Sequence, residues 1–267
     1  MDKREILFEY LIKEYLHTHE PIGSEFLRLR IDIKVSSATI RNYFKKMVDD
    51  GELAQPHISS GRIPTNKALK RYWKHKLLPL KKISVNSINQ ISHSAQETGL
   101  FCIVKFFKQN IFIELVNVKD RYLLLIFEDG EAMIRYSEPL ERFLQSIIFT
   151  DIRDLYKISK DLCINSIYDA LEVLLRKNQT SIKGSNDLID MSKEHKFEDD
   201  KLLNCLKGDL FEQVNNGLYF RDVIPEGYMA IKQDININTD DAKILLIGRL
   251  TKNFEEFYQL LNKQNRG

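Results

Sequence analysis

The eight residues from Val35 to Asn42, VSSATIRN, place the hydroxyls of Ser36, Ser37 and Thr39 beside the guanidinium of Arg41 and the carboxamide of Asn42. A guanidinium and a carboxamide are the side-chain groups that bond in pairs to base edges, one to guanine and the other to adenine, when a helix lies in a major groove. A second cluster, PHISSGR, offers His57, Ser59, Ser60, the backbone of Gly61 and Arg62. Small donors of this kind suit a phosphate or a minor groove. The chemistry on offer is hydrogen bonding to a polyanion.

Residue patterns for bond making are missing from the sequence. There is no GxGxxG, no Walker A and no HExxH. His17 and His19 are two apart on a helix, so their side chains diverge and are poorly placed to share a metal. His93 and His195 have no ligand pattern around them and read as surface histidines. The run Glu198–Asp200 reads as a solvated helix end. Cys102, Cys163 and Cys205 lie tens of residues apart with no CxxC pair, which argues against a disulfide framework or a zinc cluster. Each reads as a small buried apolar residue. The expectation is a protein that is not an enzyme, with no cofactor and no metal.

Both clusters need a scaffold, and the sequence proposes one. Residues 2–19 repeat Ile6, Leu7, Tyr10, Leu11 and Leu16 at helical spacing. Pro21 and Gly23 break the chain, and Ser24 is placed to cap a short helix carrying Phe26, Leu27 and Leu29. Ser36 or Ser37 caps a third helix, which Gly51 ends in a left-handed conformation. Around that third helix Ile40, Tyr43, Phe44, Met47 and Val48 share one arc. Thr39, Arg41, Asn42, Lys45, Lys46, Asp49 and Asp50 share the other. The lysines would sit near phosphates. The two aspartates oppose the helix dipole at a cost of about 0.5 kcal/mol. Leu53–Gln55 and Arg62–Ile63 read as two short strands around a turn-rich tip, and Thr65 caps a fourth helix. Three helices, a two-stranded wing and another helix is the winged helix-turn-helix order, predicted over residues 1–82.

Charge agrees with this division. Residues 1–82 hold 17 Lys and Arg against 10 Asp and Glu, leaving 23 against 28 in the remainder, for a net charge of +2. A basic head on an acidic body suits a polyanionic partner.

VSSATIRN, followed about a dozen residues later by GELAQPHISSGRIPT, resembles the hallmark pair of the HrcA family of bacterial heat-inducible transcription repressors. The usual forms are close to VSSATIRN and QPHTSAGRIP, and the likeness runs from Pro21 to about Tyr72. AKILLIGRLTKNFEEFYQLL is similar to the family's last strand and helix, with Gly248-Arg249 where Gly-Pro is usual. Ile58, Ser60 and Ala68 also depart from the usual form, as do Lys45 and Lys46, where the family tends to be acidic. The resemblance implies a repressor of chaperone genes that binds double-stranded DNA as a homodimer, at an inverted-repeat operator of the CIRCE type. It implies a GAF-like C-terminal domain and modulation by a GroEL-type chaperonin. It assigns DNA contact to Ser36, Ser37, Thr39, Arg41 and Asn42, and on the wing to His57, Ser59, Gly61 and Arg62.

Residues 83–267 read as this regulatory and dimerisation domain. Residues 83–98 are polar and look like a connection or a soluble helix turn. Phe101–Phe107, Ile111–Val118, Tyr122–Phe127 and Ala132–Tyr136 look like a four-stranded antiparallel meander, with a tight type I′ turn at Asp129-Gly130. Residues 151–178 and about 186–207 show helical periodicity, and Lys243–Gly248 is a late buried strand before a closing helix. The predicted class is α+β. The longest apolar run, Tyr122–Phe127, falls far short of the ~18 residues needed to cross a bilayer. The N-terminal residues lack a signal-peptide core, so a cytoplasmic protein with no membrane partner is expected. The alternative to a chaperonin-tuned repressor is a winged-helix regulator whose C-terminal domain senses a small ligand.

Overall fold

Apolar residues three and four positions apart drive the first helix, α1 (Lys3–Thr18), in a computed structural model of the chain. The structure describes residues 2–106, 109–184, 210–221, 223–238 and 240–264, together with Leu188 and Lys193. The buried stripe of α1 is Leu7, Phe8, Leu11, Ile12 and Leu16. It is turned from the expected one, burying Phe8 and Ile12 and leaving Ile6 and Tyr10 half-buried. In α2 (Ser24–Arg30) Gly23, not Ser24, is the N-cap, and only Leu27 is buried. Two turns present a single position to the core, so Phe26 and Leu29 face outward instead of packing.

The third helix, α3 (Ser37–Asp49), begins as predicted: the Ser36 hydroxyl accepts the Thr39 N–H at 3.1 Å. Gly51 follows with φ +69°. Strands β1 (Leu53–Ala54) and β2 (Ile63–Pro64) pair antiparallel, Leu53 against Pro64 and Ala54 against Ile63. Helix α4 (Asn66–Leu77) is capped by Thr65, whose hydroxyl accepts the Ala68 N–H. This is the winged helix-turn-helix. Its α4 is also anchored to the chain's far end. Trp73 is fully buried, its indole N–H donates to the Leu250 carbonyl at 2.8 Å, and its ring meets Phe254 edge-on at 5.4 Å.

Residues 83–98 are not a connection, and their helical part is longer and better buried than the soluble turn the sequence suggests. They form β3 (Ile83–Val85) and α5 (Ile88–Thr98), which buries Ser94 and Thr98 beside Ile91 and Ala95. Small polar residues fill that interface, so its hydrophobic pattern is faint. Strand β4 (Phe101–Phe106) does not start a meander either. It joins a six-stranded sheet ordered β3-β10-β11-β4-β8, with β9 paired to β10. The sheet's other members are β8 (Thr180–Lys183), β9 (Gly217–Tyr219), β10 (Tyr228–Ile237) and β11 (Asp240–Arg249). Phe101–Val104 are buried without alternation, the mark of a strand covered on both faces. Strand β10 is hidden in the sequence, because Lys232, Gln233, Asp234 and Asn236 interrupt its apolar residues. The buried Lys232 ammonium donates to the carbonyls of Phe211 and Val214, beside a short turn of helix, α9 (Leu210–Gln213). Because β3 runs parallel to β10 while β9 runs antiparallel, the sheet is mixed and not wholly antiparallel. The expected closing helix is α10 (Phe254–Gln264). Of the helix predicted at 186–207 only Leu188 and Lys193 are described, both helical; His195, Glu198–Asp200 and Cys205 lie outside the described residues.

The antiparallel meander has three strands, β5 (Phe112–Val118), β6 (Tyr122–Phe127) and β7 (Glu131–Arg135). One face packs on α6 (Glu138–Gln145), α7 (Ile152–Asp161) and α8 (Asn165–Gln179), around Phe112, Leu123, Leu125, Ile134, Leu144, Leu155 and Leu171. The type I′ turn expected at Asp129-Gly130 does not form. Only Gly130 has a positive φ there, and the Asn110 carboxamide bridges to the backbone of Asp129. Consecutive left-handed residues occur instead at Lys119 and Asp120, closed by the Arg121 N–H on the Val118 carbonyl at 3.1 Å.

Chain packing gives two compact units. One comprises Met1–Ile103, Ile182–Asn238 and Ile244–Gly267, and so holds the winged helix and most of the mixed sheet. The other comprises Val104–Ser181 and Thr239–Lys243. The α+β class read from the sequence, with a winged helix-turn-helix ahead of sheets and helices, is the class observed.

Candidate nucleic-acid interface

The amphipathic split of α3 is realised side chain by side chain. Ile40, Phe44 and Met47 are buried against the domain, while Arg41, Asn42, Lys45 and Lys46 are exposed on the opposite side. Tyr43 and Val48 sit at the boundary, half-buried. Asp50 does more than oppose the helix dipole. It accepts Arg4 from α1 at 2.5 Å, and Arg4 also bonds Glu52 at 2.9 Å. Glu52 is buried and bridges on to Arg71 of α4 at 3.2 Å. Through these pairs the C-terminal end of α3 is tied to α1 and α4.

The three hydroxyls at the N-terminal end of α3 have partners within the domain. Ser36 caps the helix and lies 2.9 Å from the Thr39 hydroxyl. Ser37 donates to the Glu25 carboxylate of α2. Glu25 also accepts Arg28 at 2.9 Å, and the Arg28 guanidinium, then the Ser37 hydroxyl, hold its carboxyl below the usual range. Ser36, Ser37 and Thr39 therefore fix where α3 begins, and Arg41 and Asn42 carry the displayed chemistry. Sequence reasoning misses Glu25, because an acid on a basic face is not a sign of nucleic-acid contact. Its signal is the helical neighbour Arg28, three residues on.

The wing is tightly built. Ile22 adds a rung to it: its N–H and carbonyl each exchange a 2.9 Å hydrogen bond with Arg62. Gly61 sits against this rung so closely that a β-carbon there would lie 2.4 Å from the Ile22 carbonyl carbon. Its glycine identity therefore serves close backbone approach. The Ser60 hydroxyl accepts the His57 N–H at 3.0 Å, and the Gln55 amide donates to the Ile58 carbonyl at 2.6 Å. His57, Ile58 and Ser59 project from this locked loop, all exposed. Arg62 is half-buried at the base. One terminal nitrogen reaches the carbonyls of Ser60 and Gly61 at 3.2 and 3.4 Å, and its Nε–H has no partner among the described residues. A buried donor left unmatched is costly.

Elsewhere the described residues show no group of three His, Cys, Asp or Glu able to hold a metal, and no helix long and apolar enough to cross a membrane. His17, His19 and His93 are exposed. Cys102 is buried, and burial pushes its thiol up. Cys163, expected inside, is exposed at a left-handed turn after α7.

The HrcA C-terminal domain matches residues 73–265 of the chain. The heat-inducible transcription repressor HrcA of Helicobacter pylori strain J99 is 29% identical over 268 residues, spanning 99% of this chain and 96% of that protein. Its counterpart from Alkaliphilus metalliredigens is 27% identical, over 97% of this chain and 71% of the relative. Among solved structures, a hypothetical protein determined at 2.2 Å resolution is similar over 100% of this chain and 97% of its own. That match has a TM-score of 0.55 at 18% identity, and so shares the fold. The matched domain begins at Trp73, the residue of α4 that locks onto Leu250 and Phe254. The chain belongs to the HrcA family of heat-inducible transcription repressors.

Proposed function

We propose that the chain represses chaperone genes by binding, as a homodimer, an inverted-repeat operator of the CIRCE type in the cytoplasm. Residues 1–82 make the DNA contacts, and residues 83–267 carry dimerisation and regulation. The observation that carries this reading is the exposure of Arg41 and Asn42 on the side of α3 opposite its buried residues. In a major groove they would pair with guanine and adenine edges. Lys45 and Lys46 meet phosphates one turn on, and His57, Ser59 and Arg62 meet the backbone from the wing. Gly61 contributes by bringing the wing close to Ile22, and Ser36, Ser37 and Thr39 by fixing the start of α3.

A dimer is supported by the outer face of the three-stranded meander. Strand register sets Val116, Leu124 and Met133 in one row across it. Met133 is 60% exposed there, with Tyr122 and Val118 exposed in the next row. An apolar strip of this kind, flanked on the same face by Glu114, Glu131 and Arg135, suits a partner with matching charges at its margins. A two-fold pair would place two α3 helices about one DNA turn apart, or a multiple of it.

Heat release follows from marginal stability. An unfolding entropy of about 2.1 cal/mol/K per residue, over about 180 residues, changes stability by about 4 kcal/mol across ~10 °C. That spans nearly three decades in folded fraction. A GroEL-type chaperonin that returns unfolded chains to the native pool would then set repressor activity by its availability. The test is footprinting on an inverted-repeat duplex at two temperatures, with and without chaperonin. Protection that disappears on warming and returns with chaperonin supports the scheme; protection indifferent to both removes it.

A further inference from the structure

The side chain of Ile58 is 99% exposed, the fullest exposure of any large apolar residue described. Solvated aliphatic side chains are common on surfaces and need no explanation when they stand on loose loops. This loop is not loose. The Ser60 hydroxyl accepts the His57 N–H at 3.0 Å, the Ser60 N–H donates to the His57 carbonyl at 2.9 Å, and the Gln55 amide donates to the Ile58 carbonyl at 2.6 Å. The backbone on either side of Ile58 is thus satisfied inside the wing, and the side chain is held out from its tip.

Charge favours nucleic acid as the occupant. Leu53–Thr65 contains no acidic residue and carries Arg62, whose buried Nε–H lacks a partner among the described residues. A run of this length with a cation and no acid repels no phosphate, whereas a basic protein partner would find no carboxylate on it. We propose that Ile58 is an apolar wedge that the wing presses into the minor groove of the operator, partly unstacking one base step while Arg62 holds the adjacent phosphate. β-Branched and other aliphatic side chains act this way in proteins that kink DNA. The proposal rests on the DNA-binding reading above and adds a deformation of the duplex to it.

The test uses the full chain and synthetic inverted-repeat duplexes carrying 2-aminopurine at successive positions beneath the wing. Wild-type protein should raise the fluorescence at one step per half-site. Ile58→Ser should abolish that rise and weaken binding about tenfold, with an unchanged salt slope, and Ile58→Leu should keep both. Because the side chain at position 58 stands in solvent, Ile58→Ser folds normally, which a melting curve verifies. Salt-dependent binding by wild type with no fluorescence change, and undiminished binding by Ile58→Ser, overturns the wedge and leaves the DNA reading standing. Failure of wild type to prefer the inverted repeat overturns both.

Discussion

Gly61→Ala is the substitution whose outcome the wing geometry fixes most tightly. The added methyl would stand 2.4 Å from the Ile22 carbonyl carbon, 2.5 Å from its oxygen and 2.7 Å from the Pro21 carbonyl carbon. These are backbone atoms, so no side chain can rotate away. Relief requires the Ile22–Arg62 rung to open, breaking two hydrogen bonds of 2.9 Å. Each is worth about 1 kcal/mol net, and residual crowding adds about another, giving about 3 kcal/mol. For a folding unit of this size ~1 kcal/mol shifts Tm by about 2–4 °C, so the melt should fall by about 6–12 °C. The chain has a single tryptophan, Trp73, buried between α4 and Phe254, so its fluorescence follows the same unit. Operator affinity, measured well below the melt, should fall about tenfold as the wing swings out. A Gly61→Ala protein that melts within about 2 °C of wild type and binds equally well would refute the reasoning, because it would mean that the wing strand is free to shift.

Trp73→Phe keeps most of the buried ring and removes the N–H that serves the Leu250 carbonyl. Destabilisation of about 1–3 kcal/mol is expected, seen by circular dichroism as an earlier melt of the winged helix together with α10. Asp151 caps α7 through the Arg153 N–H and also accepts the Asn110 N–H. Burial pushes its carboxyl up, but the Arg153 guanidinium and these two N–H groups outweigh it, and the net shift is downward. A depressed folded pKa stabilises fully above the unfolded value near 4 and loses that effect as pH falls through the folded value. Acid should therefore weaken the meander unit below about pH 4, and Asp151→Asn should lower its stability at pH 7 by ~1 kcal/mol while flattening that acid dependence.

How much of this is readable from residues depends on how local the cause is. The N-cap of α3, the Thr65 cap and the left-handed Gly51 come from rules spanning three or four residues, and all three stand where the pattern puts them. The buried and exposed arcs of α3 follow from periodicity alone. What escapes depends on distant partners. Strand β4 reads like a neighbour of β5, yet it pairs within a sheet whose central strands, β10 and β11, lie more than a hundred residues away. Residues 83–98 look polar because Ser94 and Thr98 occupy a helix face that α10 covers only in the fold. The left-handed pair at Lys119 and Asp120 carries no glycine to announce it, and Asn110 decides the conformation at Asp129 from 19 residues away. At the interface, Arg41 and Asn42 are legible from residue type. That the neighbouring hydroxyls serve the helix start instead requires seeing Glu25 beside Ser37.

The central claim is that the exposed side of α3 reads base edges, and one titration addresses it directly. Affinity of wild type, Arg41→Ala, and the double substitution Lys45→Ala with Lys46→Ala would be measured across a salt series, on an inverted-repeat operator and on a shuffled duplex. Arg41→Ala should weaken operator binding by about 1–3 kcal/mol per half-site and change binding to the shuffled duplex little. The lysine pair should weaken both duplexes alike and lower the salt slope by about one for each phosphate no longer neutralised. Equal weakening on both duplexes for Arg41→Ala would mean that it meets only phosphate, and would contradict the account.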